Sequence, residues 1–83
     1  MTQWRSVGAV LSGEPIDVGG ENPWLHEWRR LEEPDVDLPH PQYTQQLHSM
    51  QIYDMDVHGR RIRFASGELS NGVWGFYVPV EAD

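Results

Sequence analysis

Apolar and polar positions alternate with a period of two through most of the C-terminal half, which is the pattern of half-buried β-strands. Three such runs are separated by two-residue turn signals. Gln46 to Val57 leads into His58-Gly59, Arg60 to Leu69 leads into Asn71-Gly72, and Val73 to Val80 follows. Asn-Gly is the strongest short hairpin signal, because a type I′ turn needs two residues that tolerate positive φ. The first hairpin can be written out as a register. With His58-Gly59 as the loop, Val57 faces Arg60, Asp56 faces Arg61, Met55 faces Ile62, Asp54 faces Arg63 and Tyr53 faces Phe64. Tyr53, Met55, Ile62 and Phe64 then share an apolar face, while the opposite face carries two cross-strand Asp–Arg pairs. A slip of one residue would set carboxylates against Ile62 and Phe64, so the register is strongly specified.

In the second hairpin the same construction pairs Ser70 with Val73, Leu69 with Trp74 and Gly67 with Phe76. That collects Leu69, Trp74, Phe76 and Val78 on the side opposite Phe64. Either both faces of the sheet are covered, or an extra residue near Ser66-Gly67 resets the phase. Gly67 favours the second, a β-bulge. Pro79 places the end of the last strand at an edge or in a frayed segment.

The N-terminal half follows a different period. Asn22 is a helix N-cap type, Pro23 suits the first helical position, and Trp24, Trp28 and Leu31 recur at i, i+4 and i+7. Pro34 disfavours helical geometry at Glu33, so the spacing predicts a helix over about 23–33, its Trp stripe laid on the apolar face of the sheet. Trp4 to Leu11 reads as a strand, with Pro15 to Val18 as a candidate partner across Ser12-Gly13. Residues 35–44, with Pro39 and Pro41, read as an extended connection. The expected fold is α+β, a single domain over residues 1–83. A three-stranded antiparallel meander, with one or two N-terminal strands added, packs against one short helix, with strands at about 4–11, 46–57, 60–69 and 73–80.

Composition sharpens this outline. A chain of 83 residues has a thin core, and with no cysteine no disulfide supports it. Four Trp, three Tyr and two Phe supply the apolar area such a core needs. The absence of thiols also excludes thiol catalysis and thiolate metal sites, and it fits a reducing compartment. No apolar run is long enough to span a bilayer or serve as a secretory signal, so the expected location is cytoplasmic, with no membrane partner. Net charge is -7, and all six basic residues are Arg. From Glu14 to Asp37 eight acids stand against two bases. This balance opposes binding to a phosphate backbone, and no nucleic-acid partner is expected.

Candidate chemistry is sparse. Asp54, Asp56 and His58 alternate along a strand as metal ligands could, but Arg61 and Arg63 opposite them would repel a cation, so no metal and no cofactor is expected. His26, His40, His48 and His58 show no ligand-spacing motif. His40, Tyr43 and His48, with Ser66 or Glu68 brought in by the sheet, form the one acid–base set that can be assembled. Nucleophile elbow, phosphate loop and dinucleotide fingerprint are absent. Arg60, Arg61 and Arg63 form a basic cluster beside aromatic strands, two of them already facing aspartates. Trp24, Trp28, Glu32 and Glu33 are the candidate binding residues, since acids around aromatics suit a basic protein partner. The expected function is a small acidic, non-enzymatic interaction module, such as an inhibitor, an immunity-type protein or an adaptor. A homodimer is one form its partnership can take, through an available edge strand. The alternative is a small enzyme or a ligand- or metal-binding protein that uses His40, Tyr43 and His48.

Overall fold

The computed structural model describes residues 2–80, with the side chains of residues 43–45 outside the described set. Its strands are β1 (Gln3–Leu11), β2 (Trp28–Arg30), β3 (Val36–His40), β4 (Tyr43–Val57), β5 (Arg60–Ser70) and β6 (Val73–Val80), with a single 3-10 turn at Pro23–Leu25. All strand pairs are antiparallel, in the order β1-β6-β5-β4-β2, and β3 pairs with β4 outside that path. The α+β expectation is therefore wrong, for no helix packs on the meander and the fold is antiparallel β throughout.

The first hairpin has the predicted register, from Val57↔Arg60 through Asp54↔Arg63 to Tyr53↔Phe64. His58 (φ 53°) and Gly59 (φ 83°) form its turn, and the Asp56 carboxylate accepts from the Gly59 N–H at 2.9 Å. The side chains choose other partners than the facing ones. Asp54 accepts from Arg29 at 2.9 Å and diagonally from Arg61 at 3.3 Å, while Arg63 turns to Glu33 and lies over the Trp4 ring. A third strand, β2, brings Arg29 opposite Asp54, and this long-range neighbour displaces Arg63.

In the second hairpin Ser70↔Val73 holds, but the next pair is Glu68↔Trp74. The extra residue is Leu69, so the bulge falls there and not at Ser66-Gly67. Trp74, Phe76 and Val78 consequently join Phe64 on one face, while Leu69 stays on the other with Tyr77.

The predicted helix over 23–33 is replaced by the 3-10 turn and β2. Its start signal is real: Asn22 accepts from the Trp24 N–H at 3.1 Å, with Pro23 in the first turn. After one turn the chain extends, Trp28 pairs with Met55 and Arg29 with Asp54, and the Leu31 N–H donates to the Ile52 carbonyl at 2.9 Å. Trp28 and Leu31, which a helix would put on one side, enter opposite faces of the sheet. Val36 to His40, expected as a connection, forms β3 along residues 43–50 of β4. Pro15 to Val18 does not become a strand partner of β1; an isolated Val18↔Glu21 bridge stands there instead, and β1 pairs with β6.

Both faces are covered. On the Phe64 face, Val18, Met55, Val57, Phe64 and Phe76 form a buried cluster, sealed by residues of the 7–28 segment including Ile16, Trp24 and Trp28. On the Tyr77 face, Met50, Ile52, Ala65, Leu69 and Tyr77 are buried against Trp4, Leu31, Val36 and Leu38. The β3–β4 ribbon supplies this second cover. Gly67 permits it, since a Cβ there would lie 2.7 Å from the Ser49 carbonyl oxygen. No helix among the described residues is long and apolar enough to cross a membrane.

Candidate functional site

The aromatic candidates are part of a continuous ring cluster. Trp24 lies 5.1 Å from Trp28, 5.6 Å from Phe76 and 6.4 Å from Trp74, ring centre to ring centre. Trp28 continues to Phe64 at 5.2 Å and Tyr53 at 5.4 Å, mostly edge to face, the geometry that ring quadrupoles favour. The Trp28 indole N–H donates to the Pro23 carbonyl at 2.7 Å, which pins the 3-10 turn to β2. Trp24 and Trp28 are each half-buried, so they serve the core with one side and the surface with the other. The acidic candidates lie elsewhere. Glu33 is engaged by Arg63 next to Trp4, which packs on the Tyr77 face, and Glu32 is exposed. The structure thus separates Glu33 from the two Trp residues.

Sequence reasoning missed what surrounds Trp24. Residues 14–28 cover the Phe64 face with Ile16, Val18, Trp24 and Trp28, and they carry four acids (Glu14, Asp17, Glu21, Glu27) and no Arg. Glu21 contacts His26 at 3.3 Å and Asp17 holds the Gly20 N–H at 2.8 Å. Leu25, at the tip of the capped turn, is 76% exposed. Its neighbours in sequence, a capping Asn-Pro pair and two Trp, were a usable signal for a rigid exposed turn.

His40 and His48 are both buried, and His48 lies close enough to disfavour a charge on His40. Tyr43 pairs with His40 through the backbone, but its side chain lies outside the described residues. His40 acts as a clasp. Its Nδ1 accepts from the Gln42 N–H at 3.2 Å, the ring lies by the Gly8 backbone, and it stands edge-on to Tyr77. The Tyr77 hydroxyl donates to the Pro39 carbonyl at 2.8 Å, fixing the same corner. Burial, opposed by the Gly8 backbone and reinforced by His48, lowers the His40 pKa below the ordinary imidazole value, and burial raises that of Tyr77.

A base whose folded pKa lies below its unfolded one binds more protons unfolded, so stability rises with pH across that interval. The His40 contribution is complete above the ordinary imidazole pKa of 6.5 and is lost as pH falls below it. Urea unfolding at pH 7.5 and at 5.5 is expected to show lower stability at the acid value, with a smaller difference in His40→Gln. Equal differences in both proteins would assign the pH dependence to other groups.

The remaining candidates do not gather into a ligand set. Asp54 is held by two Arg, Asp56 caps its turn, and His58 is exposed within that turn. Among the described residues no group of three or more His, Asp or Glu is placed to hold a metal ion. Comparison with protein-family models, with curated proteins and with solved structures gives no match to this chain.

Proposed function

We propose that the protein is a non-enzymatic interaction module whose partner is a basic protein, as an inhibitor, immunity-type protein or adaptor would have. The observation that carries this reading is the exposed Leu25 on a turn braced by Asn22, Trp24 and Trp28, within a cover segment bearing four acids and no Arg. A rigid apolar anchor costs little ordering entropy on binding, and acids around it steer a positively charged partner and exclude acidic ones. The rival, an enzyme or ligand binder built on His40, Tyr43 and His48, would need His40 to exchange protons with a substrate. Its burial and the hydrogen bond that its Nδ1 accepts from the Gln42 N–H weigh against that use.

The test is affinity capture from the native cell extract, followed by titration of the recovered protein against wild type and a Leu25→Lys/Glu27→Lys variant. A basic partner is expected, bound more weakly by about tenfold or more in the variant and sensitive to salt. A partner bound equally by both proteins, or one that is acidic, would remove this reading. Self-association is a second arrangement, favoured by one observation. Residues 43–49 of β4 have β3 on one side and no paired strand on the other among the described residues, and Leu47 on that ribbon is 63% exposed. Light scattering on the same preparation reads it directly.

A further inference from the structure

The ladder between β5 and β6 stops at Ala65↔Tyr77. Both strands run on past that point. Residues 60–64 follow β4, while Val78 to Val80 follow β1. The two segments therefore diverge, and their facing backbone edges carry no ladder partner among the described residues. Pro79, which has no N–H to give to a ladder, lies in the diverging stretch. Between the segments opens a cleft of about 670 Å³, lined by Arg5, Arg60, Arg61 and Arg63 together with Ile62 and Val78, with no carboxylate among the described residues that line it.

Four of the six Arg of a chain with net charge -7 thus share one opening. Arg61 shares the Asp54 carboxylate with Arg29, and Arg63 pairs with Glu33. Arg60 donates to the Gly19 carbonyl at 3.3 Å, and among the described residues no carboxylate pairs with Arg60 or with Arg5. Two guanidinium groups with no carboxylate partner among the described residues therefore flank an opening in a sheet, with half-buried Ile62 and Val78 between them.

We propose that this cleft takes up a short acidic peptide segment of another protein as an added β-strand. The strand edges offer N–H and C=O groups that an extended backbone can pair with, and the guanidinium forks match carboxylates in geometry as well as charge. A segment of about five residues spans roughly 17 Å in extended form. A long polyanion such as nucleic acid would run out of the cleft onto a surface that repels it. Apart from Gly19, whose carbonyl accepts from Arg60, this site shares no residue with the segment that carries Leu25, so each can fail without the other.

The experiment records backbone amide shifts of the labelled protein while a blocked Glu-Val-Glu-Val-Glu peptide is added. A Glu-Pro-Glu-Pro-Glu peptide of equal charge, inorganic phosphate and a short single-stranded DNA are run in parallel. Because Glu81 and Asp83 follow Val80 directly in the chain, the series is repeated on a Glu81→Gln/Asp83→Asn variant, where those carboxylates cannot compete. Saturable shifts at residues 60–64 and at Val78 and Val80 are expected with the valine peptide and not with the proline peptide. Affinity should fall about tenfold or more in Arg5→Glu/Arg60→Glu, two exposed positions whose replacement leaves the fold signal unchanged. Equal binding of the two peptides, binding of phosphate or DNA in place of peptide, undiminished binding by the Arg variant, or no saturable shift in either background overturns the proposal.

Discussion

Phe64→Ala is expected to cost about 3–5 kcal/mol and to abolish most of the folded population under mild conditions. The Phe64 ring is fully buried, with Trp28 at 5.2 Å, Tyr53 at 5.7 Å and Phe76 at 6.0 Å. Truncation removes the ring that all three contact, and strands on either side of β5 hold them too firmly for the hole to close. A domain of this length has about 4–12 kcal/mol in total, and a thin core without disulfides belongs toward the lower end. Leu25→Ala, at a position 76% exposed, is the control, expected within about 0.5 kcal/mol of wild type. Urea denaturation followed by tryptophan fluorescence and by circular dichroism measures both. A Phe64→Ala protein within 1 kcal/mol or so of wild type would contradict the packing described for this face.

The second large effect is expected from the smallest change, Gly67→Ala. A methyl group there would meet the Ser49 carbonyl oxygen at 2.7 Å and the Met50 sulfur at 3.0 Å. The sulfur can swing aside, but the carbonyl belongs to the backbone of β4 where that strand crosses β5. Relief requires the β3–β4 ribbon to lift, which loosens Met50, Val36 and Leu38 against Tyr77. The expected loss is about 2–3 kcal/mol, the upper range for overpacking. Gly75→Ala meets a side chain, Leu69, at 2.8 Å, and a side chain can change rotamer, so its loss should be smaller. The reverse order would mean that β4 does not lie against Gly67 as described.

The parts of the fold legible in the sequence were those decided between near neighbours. Around His58-Gly59 every facing pair is chemically matched, and the register of that hairpin is as predicted. The Asn22-Pro23 start signal was equally local and equally real. What followed it was not local. Trp24, Trp28 and Leu31 satisfy a helical period, but β4 lay within reach with Met55 and Asp54 in register, and a ladder plus an Arg29–Asp54 ion pair outweighs the modest propensity of three turns. Residues 36–40 carried a readable alternation, with Val36, Leu38 and His40 inward and Asp37 and Pro39 outward. Pro39 obscured it, because proline in a strand is admissible at an edge.

The candidate sites were less legible. The alternation turns His40 inward, but nothing near it in sequence names what it meets there, since Gly8 and Tyr77 reach it from distant strands. The Arg cluster was visible along the chain, but its weight changes in space. Arg5 joins it from β1, and Arg63 gives up Asp54 for Glu33. Pro79 did announce the end of a ladder.

One feature of β4 governs how this molecule comes apart. This 15-residue strand pairs with β3, β5 and β2, so a single uninterrupted backbone contributes to both buried clusters of the domain. Neither layer has a seam at which it can peel away, because releasing one tugs on the thread that stitches the other. Such a chain is expected to melt as one cooperative unit, with damage at either end of that thread felt along its whole length.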